Sequence, residues 1–386
     1  MSRQNIYVKA VAQISVQKPL CEEWMGSPIL YTDPYVRASD PDFKEFVTPA
    51  ESRRLGKILK RAVATSLTVV RGSGIACPDA IITGTGMGCI ENTEHFLSAL
   101  CNDGEQFLKP THFMQSTHNT ISSFIGIYLK CNGYNATYSH RGISFESALL
   151  DAVMQIEEGT IRNALVGSHD EMSPIYYEFM KKSGYVDGKD EICSEAAVSV
   201  MLEAGEECSG AECSSVKDSG SEALYAKGDI AKICGVELLY RPSPKCLKER
   251  LESMLCRAGM NLNDLDCIVT GIGGNNAKNE RYYSDLAAVF GGSGLKKGLP
   301  LLRYKNIFGE GFSSSGLGFY AAASCLSRGF VPKEMNTGLC MTGNGIVKQN
   351  GCSCNTAIEG VKRVLLVNIS EGKDYSLVLL EKVCGK

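Results

Sequence analysis

A chain of 386 residues and 41.7 kDa is long enough to bury a large core, either as two domains or as one body of two similar halves. With 40 basic against 43 acidic side chains and a formal charge of −3, it carries no electrostatic signature for nucleic acid or an anionic membrane. Seventeen cysteines, an odd number without an apolar leader over residues 1–20 or any run of 18 apolar residues, argue against a disulfide scaffold and a membrane span and predict a reducing cytoplasm.

In chain order, residues 6–14 alternate and carry Val and Ile, which predicts an opening strand. Residues 18–46 hold Pro, Asp and Tyr without periodicity and read as an excursion over the surface. Over residues 51–70, Leu55, Ile58, Leu59, Ala62, Val63 and Leu67 recur at helical spacing, with Arg53, Arg54, Lys57 and Lys60 opposite. Residues 80–83 form a buried strand entering the glycine run Gly84-Thr85-Gly86-Met87-Gly88, and a helix follows near 92–100. A dinucleotide reading of that run fails on context, because no acidic residue closes a second strand about twenty positions on. Glycine at a strand end more often permits close backbone packing.

Residues 109–120 make a polar loop containing His112 and His118, and 121–131 an apolar helix. Residues 135–171 then read as a strand, a tight turn at His140-Arg141-Gly142, a long helix, a break at Gly159 and a buried strand. A sharp strand-to-helix turn places one side chain at a helix head, where free N–H groups favour developing negative charge. Many enzymes carry Ser or Cys there; this turn offers Arg141, Gly142 and Ile143. Residues 173–188 read as a loop, 192–202 as a strand and 203–220 as an exposed loop or hairpin. Most cysteines, Cys267 and Cys325 among them, sit in apolar runs as small core residues. Cys208, Cys213, Cys352 and Cys354 are in polar settings, but no histidine or second close pair stands at zinc-ligand spacing, so no metal is expected.

Three stretches recur in the second half in the same order: residues 80–88 match 267–275, the turn and helix from 140–144 match 310–329, and 159–168 match 360–370. The repetition predicts two related α/β halves, residues 1–225 and 226–386, with the elbow at 140–144 and its counterpart facing one cleft.

These residues resemble the thiolase-fold condensing enzymes, specifically the β-ketoacyl-[acyl-carrier-protein] synthases of fatty-acid and polyketide synthesis. Ser52-Arg53-Arg54-Leu55-Gly56-Lys57 is similar to the family's early helix, residues 84–88 to its first glycine loop, and 109–120 to the loop before its dimer-interface segment. The resemblance implies a duplicated fold of five layers, αβαβα, and it implies where three catalytic side chains belong. The family's elbow cysteine, which holds the acyl chain as a thioester, falls on Gly142 or within a residue of it. Its first histidine falls on Gly271; its second, five residues after a lysine, falls on Glu310, with Lys305 retained. The closing glycine-rich loop is replaced by Ser370-Glu371-Gly372-Lys373-Asp374. Condensation needs a thiolate and imidazoles, and losing one acid or base alone removes about 10²–10⁴-fold in rate. Autonomous condensing activity is therefore not expected.

The resemblance implies a role for such a chain, the chain-length factor: a ketosynthase-like partner subunit of type II polyketide, aryl polyene or flexirubin-like pathways that shapes the acyl tunnel beside an active ketosynthase. It implies a heterodimer, an acyl carrier protein that delivers phosphopantetheine-bound acyl groups, and no cofactor of the chain's own. On that reading Phe113, Met114, His118, Phe124, Tyr128 and Arg141 are tunnel or interface candidates, and Arg141 fills the vacancy at the elbow with Glu146 or Glu310 as its partner. The alternative is a thiolase-fold enzyme, homodimeric by the same resemblance, that performs acyl transfer, hydrolysis or dehydration of carrier-bound thioesters with His140, Ser144 or Glu310. Lys9, Lys57, Lys60 and Arg61 read as solvated charge.

Overall fold

The computed structural model of the protein describes residues 4–186, 192–205, 229–273, 277–291, 295, 297–348 and 356–383. Twelve strands form one hydrogen-bonded sheet: β1 (Asn5–Ile14), β2 (Ala80–Gly84), β3 (Tyr134–Tyr138), β4 (Asn163–Asp170), β5 (Ala196–Gly205), β6 (Ala231–Tyr240), β7 (Cys267–Thr270), β8 (Leu299–Arg303), β9 (Asn336–Thr342), β10 (Gly345–Lys348), β11 (Arg363–Ser370) and β12 (Asp374–Lys382). The main helices are α1 (Lys57–Ser73), α2 (Ile90–Asp103), α3 (Thr120–Leu129), α4 (Ser144–Glu157), α5 (Pro174–Lys182), α6 (Pro244–Arg257), α7 (Ala277–Phe290) and α8 (Ser314–Arg328).

The duplication is visible in the topology. Strand order is β10-β9-β8-β7-β11-β12-β6-β1-β5-β4-β2-β3. In the first half β2 pairs parallel with β3 and β4, and β4 pairs antiparallel with β5; in the second, β7 pairs parallel with β8 and β11, and β11 antiparallel with β12. The three stretches matched in the sequence are therefore equivalent elements: β2 with β7, α4 with α8, and β4 with β11. The halves join where residues 6–8 of β1 pair antiparallel with residues 231–233 of β6. A division at 225/226 falls outside the described residues.

Alternation along the strands sorts the apolar residues into layers, because successive side chains point to opposite faces. In β11, Val364 and Leu366 join the central cluster with α4 and α8, while Leu365 and Val367 join an outer cluster with Leu251 of α6 and Leu286 of α7. In β4, Ala164 and Val166 face the centre, while Leu165 meets Ile58 and Leu59 of α1 in the opposite outer cluster. The two halves of the sheet, the buried helix pair between them and the two outer helix layers make the five-layered α/β arrangement. In α8 every residue from Ser314 to Leu326 is buried.

Some elements differ from their sequence-based reading. The stretch 173–188 is not a loop throughout: Ser173 caps α5 by accepting the Tyr176 N–H at 3.0 Å, Pro174 occupies its first turn, and Tyr177 and Met180 bury one face. Within the surface excursion, Trp24 is buried edge-on against Phe308, with ring centroids 5.0 Å apart. The first helix begins at Lys57, after a separate turn of helix at Pro49–Ser52. Arg61 is not solvated: it is fully buried and ion-paired with Asp40 and, at 2.9 Å, with Glu195.

The glycine run is bound from within. Asp170, at the end of β4, accepts from Thr85 Oγ1 at 2.9 Å and from the Gly86 and Met87 N–H groups at 2.9 and 2.8 Å. Donors that a phosphate would need are thus spent on a carboxylate of the protein itself. Gly84 is required for a different reason: a Cβ there would stand 2.3 Å from the Ser144 carbonyl and 2.5 Å from the Phe145 nitrogen, backbone atoms at the head of α4. Next to Asp170, Glu171 accepts the Ile58 N–H at 3.2 Å and the Glu91 N–H at 3.1 Å, so one buried carboxylate caps both α1 and α2.

Two outcomes follow. Gly84→Ala has no room to relax against backbone and costs about 3 kcal/mol in a urea titration of the purified protein. Burial raises Glu171 to about 7 and Asp170 to about 6. The folded state then holds protons that the unfolded chain releases near pH 4 to 4.5, so this contribution is complete below that range and is lost as pH rises to about 7. Urea midpoints between pH 5 and 7.5 fall less steeply in Glu171→Gln than in the wild type.

Candidate functional site

The elbow is fastened by Ser144. Beyond β3 the chain passes through a 3-10 turn, Arg141–Ile143, into α4. The Ser144 hydroxyl accepts the His140 N–H at 2.8 Å and lies in donating reach of the Arg141 carbonyl at 2.7 Å and the Thr85 carbonyl at 3.1 Å. Its oxygen is fully committed to holding the turn. His140 lies half exposed on the outer side, its imidazole 3.3 Å from Ser147 Oγ and 3.6 Å from the Asp374 carboxylate.

The left-handed backbone of the turn falls on Arg141, at φ +49°, one residue before Gly142. A non-glycine residue in this region is the strained tip of the elbow, the position at which such turns expose a reactive side chain. Arg141 does not plug the cleft. Its guanidinium is 63% exposed and pairs with Glu371 in the β11–β12 hairpin, rather than with Glu146 or Glu310.

Gly142, Gly271, Lys305, Glu310 and Ser370 meet around one cavity of about 600 Å³ between the halves. The positions lacking side chains are filled by neighbours. A Cβ on Gly142 would stand 2.8 Å from Ser370 Oγ; one on Gly271 would stand 2.3 Å from Asn368 Oδ1 and 3.2 Å from the Tyr304 oxygen. Asn368 is locked in place: its Oδ1 accepts the Tyr304 hydroxyl at 2.8 Å, and its Nδ2 donates to Glu146 Oε1 at 2.6 Å. Ser376 donates to the same Glu146 oxygen at 2.9 Å. Glu146 is wholly buried on α4, and burial raises its pKa, favouring the neutral acid. Lys305 and Glu310 form an ion pair at 2.6 Å with both side chains largely buried, so Glu310 enters the cavity wall already compensated.

The sequence reading missed Tyr304, Asn368 and Ser376. An asparagine near the end of the apolar strand Val364-Leu365-Leu366-Val367 was the available signal, since a buried amide requires partners.

The remaining candidates lie elsewhere. Phe113 and Met114 are 58% and 70% exposed, with Phe113 against Phe96 at a ring separation of 5.3 Å. Phe124 and Tyr128 pack into the outer cluster beside α1, and the Tyr128 hydroxyl donates to the Phe46 carbonyl at 2.8 Å. His118 is exposed, its Cα beneath Gly88. Among the described residues, no group of three or more His, Cys, Asp or Glu is placed to hold a metal ion, and no helix is long and apolar enough to cross a membrane.

Residues 24–235 match the family described as beta-ketoacyl synthase, N-terminal domain. The fold is shared with solved structures across almost the full chain. One described as the ishigamide ketosynthase/chain length factor superposes with a TM-score of 0.77 at 17% identity, covering 99% of this chain and 100% of its own. A beta-ketoacyl synthase from Burkholderia phymatum gives 0.73 at 13% identity, covering 98% and 100%. The AntDE:AntF complex, described as a type II PKS acyl-carrier protein with its ketosynthase bound to the hexaketide, gives 0.70 at 12%, covering 99% and 100%. No curated protein matches the sequence.

Because Glu146 acts through one acceptor oxygen and is driven toward neutrality, Glu146→Gln retains stability within about 1 kcal/mol. Glu146→Ala, which strips Asn368 and Ser376 of their acceptor, loses about 3 kcal/mol. Chemical denaturation of the two variants checks the difference.

Proposed function

The chain belongs to the beta-ketoacyl synthase family, and from that premise we propose that it is the non-catalytic, chain-length-factor-type subunit of a condensing complex that works on acyl groups carried by an acyl carrier protein. The observation that carries this reading is the make-up of the cavity wall. Ser370 and Asn368 take the space that side chains at Gly142 and Gly271 would need, and Glu310 is paired with Lys305. A thioester-forming thiolate and an imidazole pair have no place in that wall without repacking. The likeness to a structure described as a ketosynthase/chain length factor supports the same reading.

The partner is an active ketosynthase, which supplies the reactive cysteine and histidines. Strand β3 closes the sheet on one side and leaves an open edge with Tyr134 exposed. Phe113 and Met114 with Phe96, and Leu97 on the same helix α2, add apolar surface for a partner. The acyl groups arrive on a phosphopantetheine arm. The second reading, altered chemistry at His140 or Ser144, finds no support in their geometry, because Ser144 is committed to the turn and His140 is not among the residues that line the cavity.

The experiment is co-expression with a ketosynthase of the same host that carries a Cys-His-His set. A stable one-to-one complex, with condensation only when both subunits are present, is expected. A monodisperse homodimer that hydrolyses acyl thioesters by itself overturns the proposal. In that complex Phe113→Glu with Met114→Glu weakens association at least about tenfold by titration while the isolated subunit keeps its melting temperature. Neither Arg141→Cys nor Gly142→Cys gives the isolated chain condensing activity in an acyl-carrier assay, since the imidazoles remain absent.

A further inference from the structure

The approach to the open sheet edge brings two thiols together. Strands β2 and β3 run parallel in a register that pairs Ala80 with Tyr134, and Cys77 and Cys131 each stand three residues ahead of that pair. Neighbouring strands lie about 4.8 Å apart, within the Cα separation a disulfide spans. The leading segments are pressed together: the Tyr134 N–H donates to the Asp79 carbonyl at 3.1 Å, and a Cβ on Gly133 would stand 2.1 Å from that same oxygen. Both sulfurs address one acceptor, with Cys131 Sγ 2.9 Å and Cys77 Sγ 3.9 Å from the Pro78 carbonyl oxygen. Cys77 is exposed and Cys131 partly exposed.

We propose that Cys77 and Cys131 are a reversible disulfide site, oxidised by small-molecule disulfides such as glutathione disulfide and reset by dithiol reductants. Cys77 loses its proton to solvent and attacks one sulfur of glutathione disulfide; that S–S bond breaks and the first glutathione leaves as a thiolate that is then protonated. Deprotonated Cys131 attacks the Cys77 sulfur of the mixed disulfide and expels the second glutathione. The protein gives up two electrons and two protons, and glutathione disulfide becomes two thiols. Desolvation and the contact with Cys131 raise the Cys77 thiol above its ordinary range, so the first step quickens as pH rises. The bond ties the entries of β2 and β3 together and closes a loop that carries α2, α3 and the Phe113–Met114 surface.

The test incubates the purified full-length chain with glutathione disulfide at pH 8, alkylates the remaining thiols and maps peptides by mass spectrometry. A Cys77–Cys131 linked peptide is expected, lost on adding dithiothreitol, together with an upward shift of about 3 °C or more in the unfolding midpoint. Cys77→Ser and Cys131→Ser each abolish both effects. Separate glutathione adducts on the two residues overturn the proposal. So does recovery of both as free thiols while exposed Cys101 and Cys256 are adducted. The wild-type peptide map decides the matter if either serine variant fails to fold.

Discussion

The hydrogen bond from Asn368 to Glu146, 2.6 Å long and fully buried, joins β11 of the second half to α4 of the first. A carboxyl group at that depth is tolerated only with donors in place, so the bond fixes how the halves seat on each other. It also fixes the amide. With Nδ2 held by Glu146, Oδ1 faces Tyr304 and occupies the space in front of Gly271. One contact therefore ties an element of each half to the other and keeps the space in front of Gly271 occupied. Residue 271 has to be small because residue 368 is held.

A second constraint is the closeness of backbone in the middle layer. The head of α4 lies so near the end of β2 that residue 84 has no room for a Cβ, and in α8 Gly316 meets Ser168 while Gly318 meets the Tyr304 ring. Two helices clamped between the two halves of the sheet leave little width, and small residues accommodate it. The elbow is thus positioned by packing rather than by any chemistry at its tip. Its geometry survives with an arginine at the strained position, and the partly exposed Arg141–Glu371 pair adds little to holding it.

How far the sequence could be read follows from the same physics. Glycines required by backbone proximity sit at fixed places in a repeated unit, so the matches of β2 with β7 and β4 with β11 were visible as strings. Side chains that meet across the fold were not: Glu146 and Asn368 are 222 positions apart, and nothing local marks them as partners. Arg61 lies on the helix face opposite no obvious acid, and its burial depends on Asp40 and Glu195, which belong to other elements. The helix at Pro174 carried its start signal in Ser173-Pro174, but the aromatic residues that follow masked the period. The tip of the elbow was placed only to within a residue, because spacing does not reveal which of two neighbours takes the left-handed backbone.

The cavity measures about 600 Å³, and no cysteine or histidine is among the described residues that line it. Its walls are polar: the Lys305–Glu310 pair lies within the second half, and the Tyr304–Asn368–Glu146 chain runs from the second half to α4 of the first. Buried ionic and amide groups contribute less to stability than an apolar filling of the same volume would, and they make up for it in definition of shape. A wall built this way keeps a defined form. That is the property the proposed role requires, in which the chain contributes to a shared reaction the shape of the space and the surface it offers to a reactive partner.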